Sequence, residues 1–219
     1  MAALKGAFIN LGAGLLGALP NIVVFQFNPL HVTRTPSLVH PAAKSDGSGK
    51  RPAEQQPDEP SQAISFSLRL DANDQLASSN PIAAASGILP TLSALELLQV
   101  PSSSLSIDLF GLSGGAPKPY QLAPIKLPTV LFFWGPFRIL PVTVNSLSIS
   151  ETEYDTLLNP VRAEVTVNLN VLTPSQIGDS SSLAKGAYKY SQGVKEVMAA
   201  LNLANAVEIG VSSALSFSI

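Results

Sequence analysis

Three carboxylates at alternate positions, Glu151, Glu153 and Asp155, stand in the segment SISETEYDTLLNPVRAEV and are the first candidates for chemistry. Paired acids hydrolyse bonds when their surroundings push two pKa values apart across a cleft. Nothing in the neighbouring sequence supplies a pocket, so a solvated or interface-facing loop is expected, punctuated by Asn159 and Pro160. His31 and His40 flank Pro36 without the spacing of a helical metal pair or an obvious carboxylate partner, and read as loop histidines. Asp71 and Asp74 in DANDQL lack the further ligands and closing glutamate of a calcium loop, and read as a turn or helix cap. Gly12, Gly14 and Gly17 match GxGxxG formally, but no adequate strand precedes them and Pro20 stops a following helix. There is no GxSxG elbow. The expectation is a protein that is not an enzyme, with no catalytic residue, metal or cofactor. Trp134 within LFFWGPF is either a ligand-stacking platform or, the favoured reading, sheet core or subunit contact.

The elements that position these residues follow from hydrophobic period. Val165, Val167, Leu169 and Val171 alternate with Thr166, Asn168 and Asn170, which is a strand with one dry and one wet face. Along Leu131 to Ile149, Phe133, Phe137 and Ile139 share one parity and Val142 and Val144 the other, which predicts a bulge beside Pro141. The two runs make a hairpin or neighbouring antiparallel strands joined by the acidic connection. Further strands are expected near Lys5 to Leu11, within PNIVVFQFNP, and over Ile64 to Leu70, where Ile64, Phe66, Leu68 and Leu70 alternate with polar residues.

Helices are expected over Ile88 to Val100, with Leu92, Leu95 and Leu98 pressed on the sheet, and over Ser182 to Asn205. The second carries a stripe of Leu183, Ala187, Tyr190, Val194, Val197, Leu201 and Ala204. The serine-rich stretches Ala77 to Gly87 and Pro101 to Ser104, and the loop Gly111 to Pro128, read as surface connections. Residues 40–60, with four prolines and no apolar face, read as a mobile loop. The tail alternates Leu215, Phe217 and Ile219 with serines and needs a surface to pack on.

Composition bounds the function. The chain has 219 residues, 46% hydrophobic and 13% charged, net charge -2 and no cysteine. Against a typical charged fraction of about 25%, so little charge points to a subunit of something larger. The absence of cysteine excludes disulfides and thiolate metal sites. The balanced charge carries no nucleic-acid footprint. The apolar run from Gly6 to Pro20 is too short and glycine-rich for a membrane span, and as a secretory signal it has only one basic residue, Lys5, before it and no Ala-x-Ala cleavage site between Gly17 and Val23.

In order, PNIVVFQFNP with Arg34, SFSLRLDANDQL, LSALELL, LFFWGPFRILPV and SISETEYDTLLNPVRAEVTVNLNVLT resemble the tube-like adaptor proteins of contractile injection systems, the phage-tail-like particles of the antifeeding-prophage and virulence-cassette type. The resemblance covers about residues 4–205. It implies an α+β, mainly β chain: a phage tail-tube-like antiparallel β-sandwich or barrel over 1–175, with a flanking helix, then a C-terminal helix and apolar tail over 176–219. It also implies a homo-hexameric ring joining the inner tube to the trimeric hub and spike inside the baseplate, beside its wedge or sheath components. Assembly would be cytoplasmic, as part of a particle released or retained. The LysM module of many members has no counterpart, so peptidoglycan binding is not expected. In this reading Phe132, Trp134, Phe137, Arg138, Glu151, Glu153, Tyr154, Asp155, Arg162, Leu215 and Phe217 make contacts between subunits and rings. The alternative is a monomeric β-sandwich that binds a small molecule or glycan through Trp134.

Overall fold

The computed structural model of the chain describes residues 4–10, 21–39, 59–100, 128–177 and 182–208. The alternating segments become β-strands: β1 (Ala7–Asn10), β2 (Asn21–Val24), β3 (Val32–Val39), β4 (Glu59–Asp71), β5 (Val130–Phe133), β6 (Ile139–Tyr154) and β7 (Pro160–Val171). Short helices α1 (Asn73–Ala77), α2 (Pro81–Ser86) and α3 (Leu89–Glu96) follow β4, and α4 (Ser182–Glu208) follows β7. The chain is therefore α+β and mainly β. All seven strands form one antiparallel sheet in the order β2-β1-β5-β6-β7-β4-β3.

That single sheet curls upon itself. β1 and β4 are four strand spacings apart, roughly 19 Å on a flat sheet, yet the Phe8 and Phe66 rings are 6.2 Å apart and Phe66 stacks on Phe132 of β5 at 5.5 Å. Phe25 joins them and completes an aromatic centre. The inward faces of β4 (Ile64, Phe66, Leu68, Leu70) and β7 (Val165, Val167, Leu169, Val171) form the rest of the core. Their outward faces are polar: Ser67 and Thr166 hydroxyls meet at 3.2 Å, and Asn168 donates to Ser146 at 2.9 Å.

The curl is held by a side chain. Beyond β2, the Gln26 carboxamide accepts from the Asp71 backbone N–H (2.9 Å) and donates to the Asp71 carbonyl (2.5 Å). One amide thus takes the place of a neighbouring strand at the end of β4. Leu92, Leu95 and Leu98 cap the core as their spacing predicts. Between α2 and α3, Gly87 takes φ +56°, and a Cβ there would lie 2.1 Å from the Pro160 carbonyl oxygen. Only glycine fits this close approach to the start of β7.

Several expectations need correction. The segment from Leu131 to Ile149 is two strands, because Gly135 at φ +79° lets the chain reverse between Trp134 and Arg138. Val130 and Phe132 of β5 and Leu140, Val142 and Val144 of β6 are all buried in the core, with no change of parity at Pro141. The register shift falls between Val144 and Ser146, beyond Pro141, and turns Leu147 and Ile149 towards the core. Residues 81–86 of the expected serine-rich connection form α2, capped by Asn80, whose side chain accepts from the Ile82 and Ala83 amides. Glu59 and Pro60 belong to β4, and β3, for which no strand was expected, pairs with it from Val32 to Val39.

On α4 most of the expected stripe faces outward, with only Ala187 and Val194 half-buried. Ala184, Tyr188 and Ser191 are buried, whereas Leu183, Tyr190, Val197 and Leu201 are exposed. Two hydrogen bonds set this rotation: Ser191 Oγ donates to the Ile139 carbonyl (2.6 Å) and accepts from the Ile139 N–H (3.2 Å). The glycine run at 12–17, His40, the loop 41–58, the connection 101–127, and Leu215 and Phe217 lie outside the described residues.

Candidate interaction interface

Glu151 and Glu153 sit on β6, which runs on to Tyr154, so the expected acidic loop shrinks to a turn at residues 155–159. That turn is organised by one carboxylate. Asp155 Oδ1 accepts from the Leu157 and Asn159 amides at 2.8 Å, and Oδ2 accepts from the Asn159 side chain at 2.9 Å. Bonding from the Asn159 side chain first, then from the two amides, holds the Asp155 carboxyl below its ordinary value. Leu158 takes φ +64°, and both Leu157 and Leu158 project into solvent, 75% and 79% exposed.

Arg162, opposite Glu153 on the hairpin, ties it to the body. Its Nε donates to Asp71 Oδ2 at 2.9 Å, and it also bonds Glu153. The Asp71 side chain is only 13% exposed, and Arg69 approaches it at 3.6 Å. The Asn73 amide, and then Arg162, keep the Asp71 carboxyl below its ordinary value. Arg162 is held above its own by its bond to Asp71. Sequence reading placed Asp71 in a turn, which its bond to the Asn73 amide matches, but missed the Asp71–Arg162 pair. The two residues are 91 positions apart, and only the β4–β7 register brings them level.

The aromatic run divides by burial. Phe132 is fully buried and stacks with Trp134 at 5.8 Å, so it holds the core and offers no side-chain surface. Trp134 is half-buried, with Phe25 at 6.3 Å. Phe137 is exposed in the turn beside Arg138. Tyr154 is half exposed at the end of β6, and its hydroxyl is raised above its ordinary value by a hydrogen bond with Glu151. Among the described residues no group of three or more metal-ligating side chains converges, and no helix is long and apolar enough to cross a membrane.

Sheet edges supply the remaining surface. β2 and β3 are the terminal strands, and Ile22, Val24 and Leu38 on them are exposed. β6 has 16 residues but pairs with β5 only from Ile139 to Val142. From Thr143 to Tyr154 it has a strand on one side only among the described residues. Comparison of the chain with known protein families and with curated proteins yields no match.

Proposed function

We propose that the chain is a structural adaptor subunit of a contractile injection system, forming a hexameric ring that joins the inner tube to the hub and spike within the baseplate. The observation that carries this reading is that, among the described residues, β2, β3 and the outer stretch of β6 have a strand neighbour on one side only. Such edges template pairing with another chain, and a ring satisfies them by closing strand to strand around its axis. Exposed Val197, Met198, Leu201 and Leu203 on α4 add apolar surface of the kind that assembly covers. The order of sequence motifs supports the family reading; the edges support assembly. Assembly would be cytoplasmic, within a phage-tail-like particle.

The described surroundings of Trp134 do not favour the ligand-binding alternative. The Trp134 ring packs against Phe25 and Phe132, and the hollow beside it, lined by Lys5, Asn28 and Gly135, holds only about 230 Å³. Native mass spectrometry of the chain, alone and with tube and hub proteins, tests the proposal. A hexamer, or a hexameric layer formed only with those partners, is the expected result. A monomer that ignores both overturns it.

A further inference from the structure

A hollow of about 940 Å³ lies between the β3–β4 pair and α4. Its floor is apolar, with Leu140, Val171 and Tyr188 at its base. Its walls carry Arg34 and Lys195. Arg138 stands within electrostatic reach of both, and burial, followed by this mutual repulsion, lowers Lys195 below its ordinary value. Among the described residues no carboxylate pairs with any of the three. Gln62, largely buried, also lines the hollow. Arg34 and Lys195 are exposed and Arg138 is half-buried, so three like charges crowd a solvent-open rim beside apolar surface, and an anion with an apolar body would complement both.

A surface of the opposite character lies at the other end of the same strands. From residue 151 to 162 the hairpin has three carboxylates against one guanidinium, and Leu157 and Leu158 project from its tip. β7 separates tip from hollow by 12 residues, about 40 Å at strand rise, so a chain cannot reach its own hollow. We infer that the acidic, leucine-tipped β6–β7 hairpin of one copy docks into the basic hollow between β3–β4 and α4 of a second copy. The contact is heterologous, head to tail, and repeats from copy to copy until it closes or extends. It deepens the adaptor reading and rests on it only in requiring more than one copy.

Because the native sequence has no cysteine, cross-linking tests the contact cleanly. The full chain carrying Leu157→Cys and Gln192→Cys is treated with a mild oxidant and run on non-reducing gels. A ladder beyond dimer is expected from the double variant, and no species beyond dimer from either single variant. No ladder overturns the proposal, even if the wild-type chain forms a hexamer by its edges, so the adaptor reading can survive its failure. A complementation experiment guards against misfolding. Arg34→Glu with Lys195→Glu spoils the hollow; Glu151→Lys with Leu157→Lys spoils the tip. Each variant, with a wild-type circular dichroism melt, is expected to self-associate at least ~10-fold more weakly. Mixed, they regain association, because the intact tip fits the intact hollow and the reversed charges of the other pair are themselves complementary. Variants that associate as the wild type does, or a mixture that regains no association, would place another occupant in the hollow and end the proposal.

Discussion

Asp155 shows how one carboxylate can fix a turn without doing catalysis. Its acceptors satisfy two backbone amides and the Asn159 side chain, which itself donates to the Ala85 carbonyl of α2. Asp155→Ala is expected to lower the urea midpoint, and Asp155→Asn, which still accepts, to lower it less. The sign of the pH effect follows from the depressed carboxyls. Asp71 and Asp155 have folded values below their unfolded ones, near ~3.9. Their contribution is therefore full above that pH and is lost as pH falls through the folded values. Thermal melts between pH 6 and pH 2 should show a steep acid limb that flattens in Asp71→Asn and Asp155→Asn. An unchanged limb in both would mean that neither carboxylate keeps its partners in solution.

Two junctions decide how the elements sit on the core. Gly87→Ala forces a Cβ against the Pro160 carbonyl at a positive φ, and should cost at least ~2 kcal/mol in urea unfolding. On α4, Tyr188→Ala should cost about 3 kcal/mol, while Leu183→Ala should stay within ~0.5 kcal/mol. The reverse order would put the apolar stripe back against the sheet. That stripe shows where sequence reading ran out. Period 3.6 located α4 to within a few residues of its observed ends, but the face it buries is chosen by Ser191 and Ile139, 52 positions apart. Similarly, β4 and β7 were legible because each has one dry face, whereas in β3 every residue from Thr33 to Leu38 is exposed and there is no alternation to read. The length of β6 was hidden for the same reason, since residues 150–154 are exposed throughout. Of the candidate interface, the acidic and aromatic residues were legible by type. The cluster of Arg34, Arg138 and Lys195 was not, because it joins three distant elements.

At the scale of the whole molecule, the curl of the sheet places exposed edges and aromatic centre together, and it depends on few groups. β1 and β2 are four residues each, and the aromatic rings that bridge to β4 are assisted by one carboxamide. Replacing Gln26 with leucine keeps the apolar stem but leaves the Asp71 N–H and carbonyl without their partner. The expected loss is about 1–3 kcal/mol. Its location matters more than its size. If Gln26 closes the curl, amide hydrogen exchange should accelerate at Asp71 and in β1 and β2, while the β6–β7 ladder keeps its protection. The fluorescence of Trp134, the only tryptophan, should shift towards that of a solvated indole as Phe25 loosens beneath it. The proposed assembly gives the same variant a second readout. A ring that pairs the β2 edge with a neighbour clamps the curl from outside, so the variant should recover protection at Asp71 on forming the hexameric layer. Protection that stays low within an assembled ring would mean that β2 is not a pairing edge, leaving β3 and the outer stretch of β6 to join the subunits.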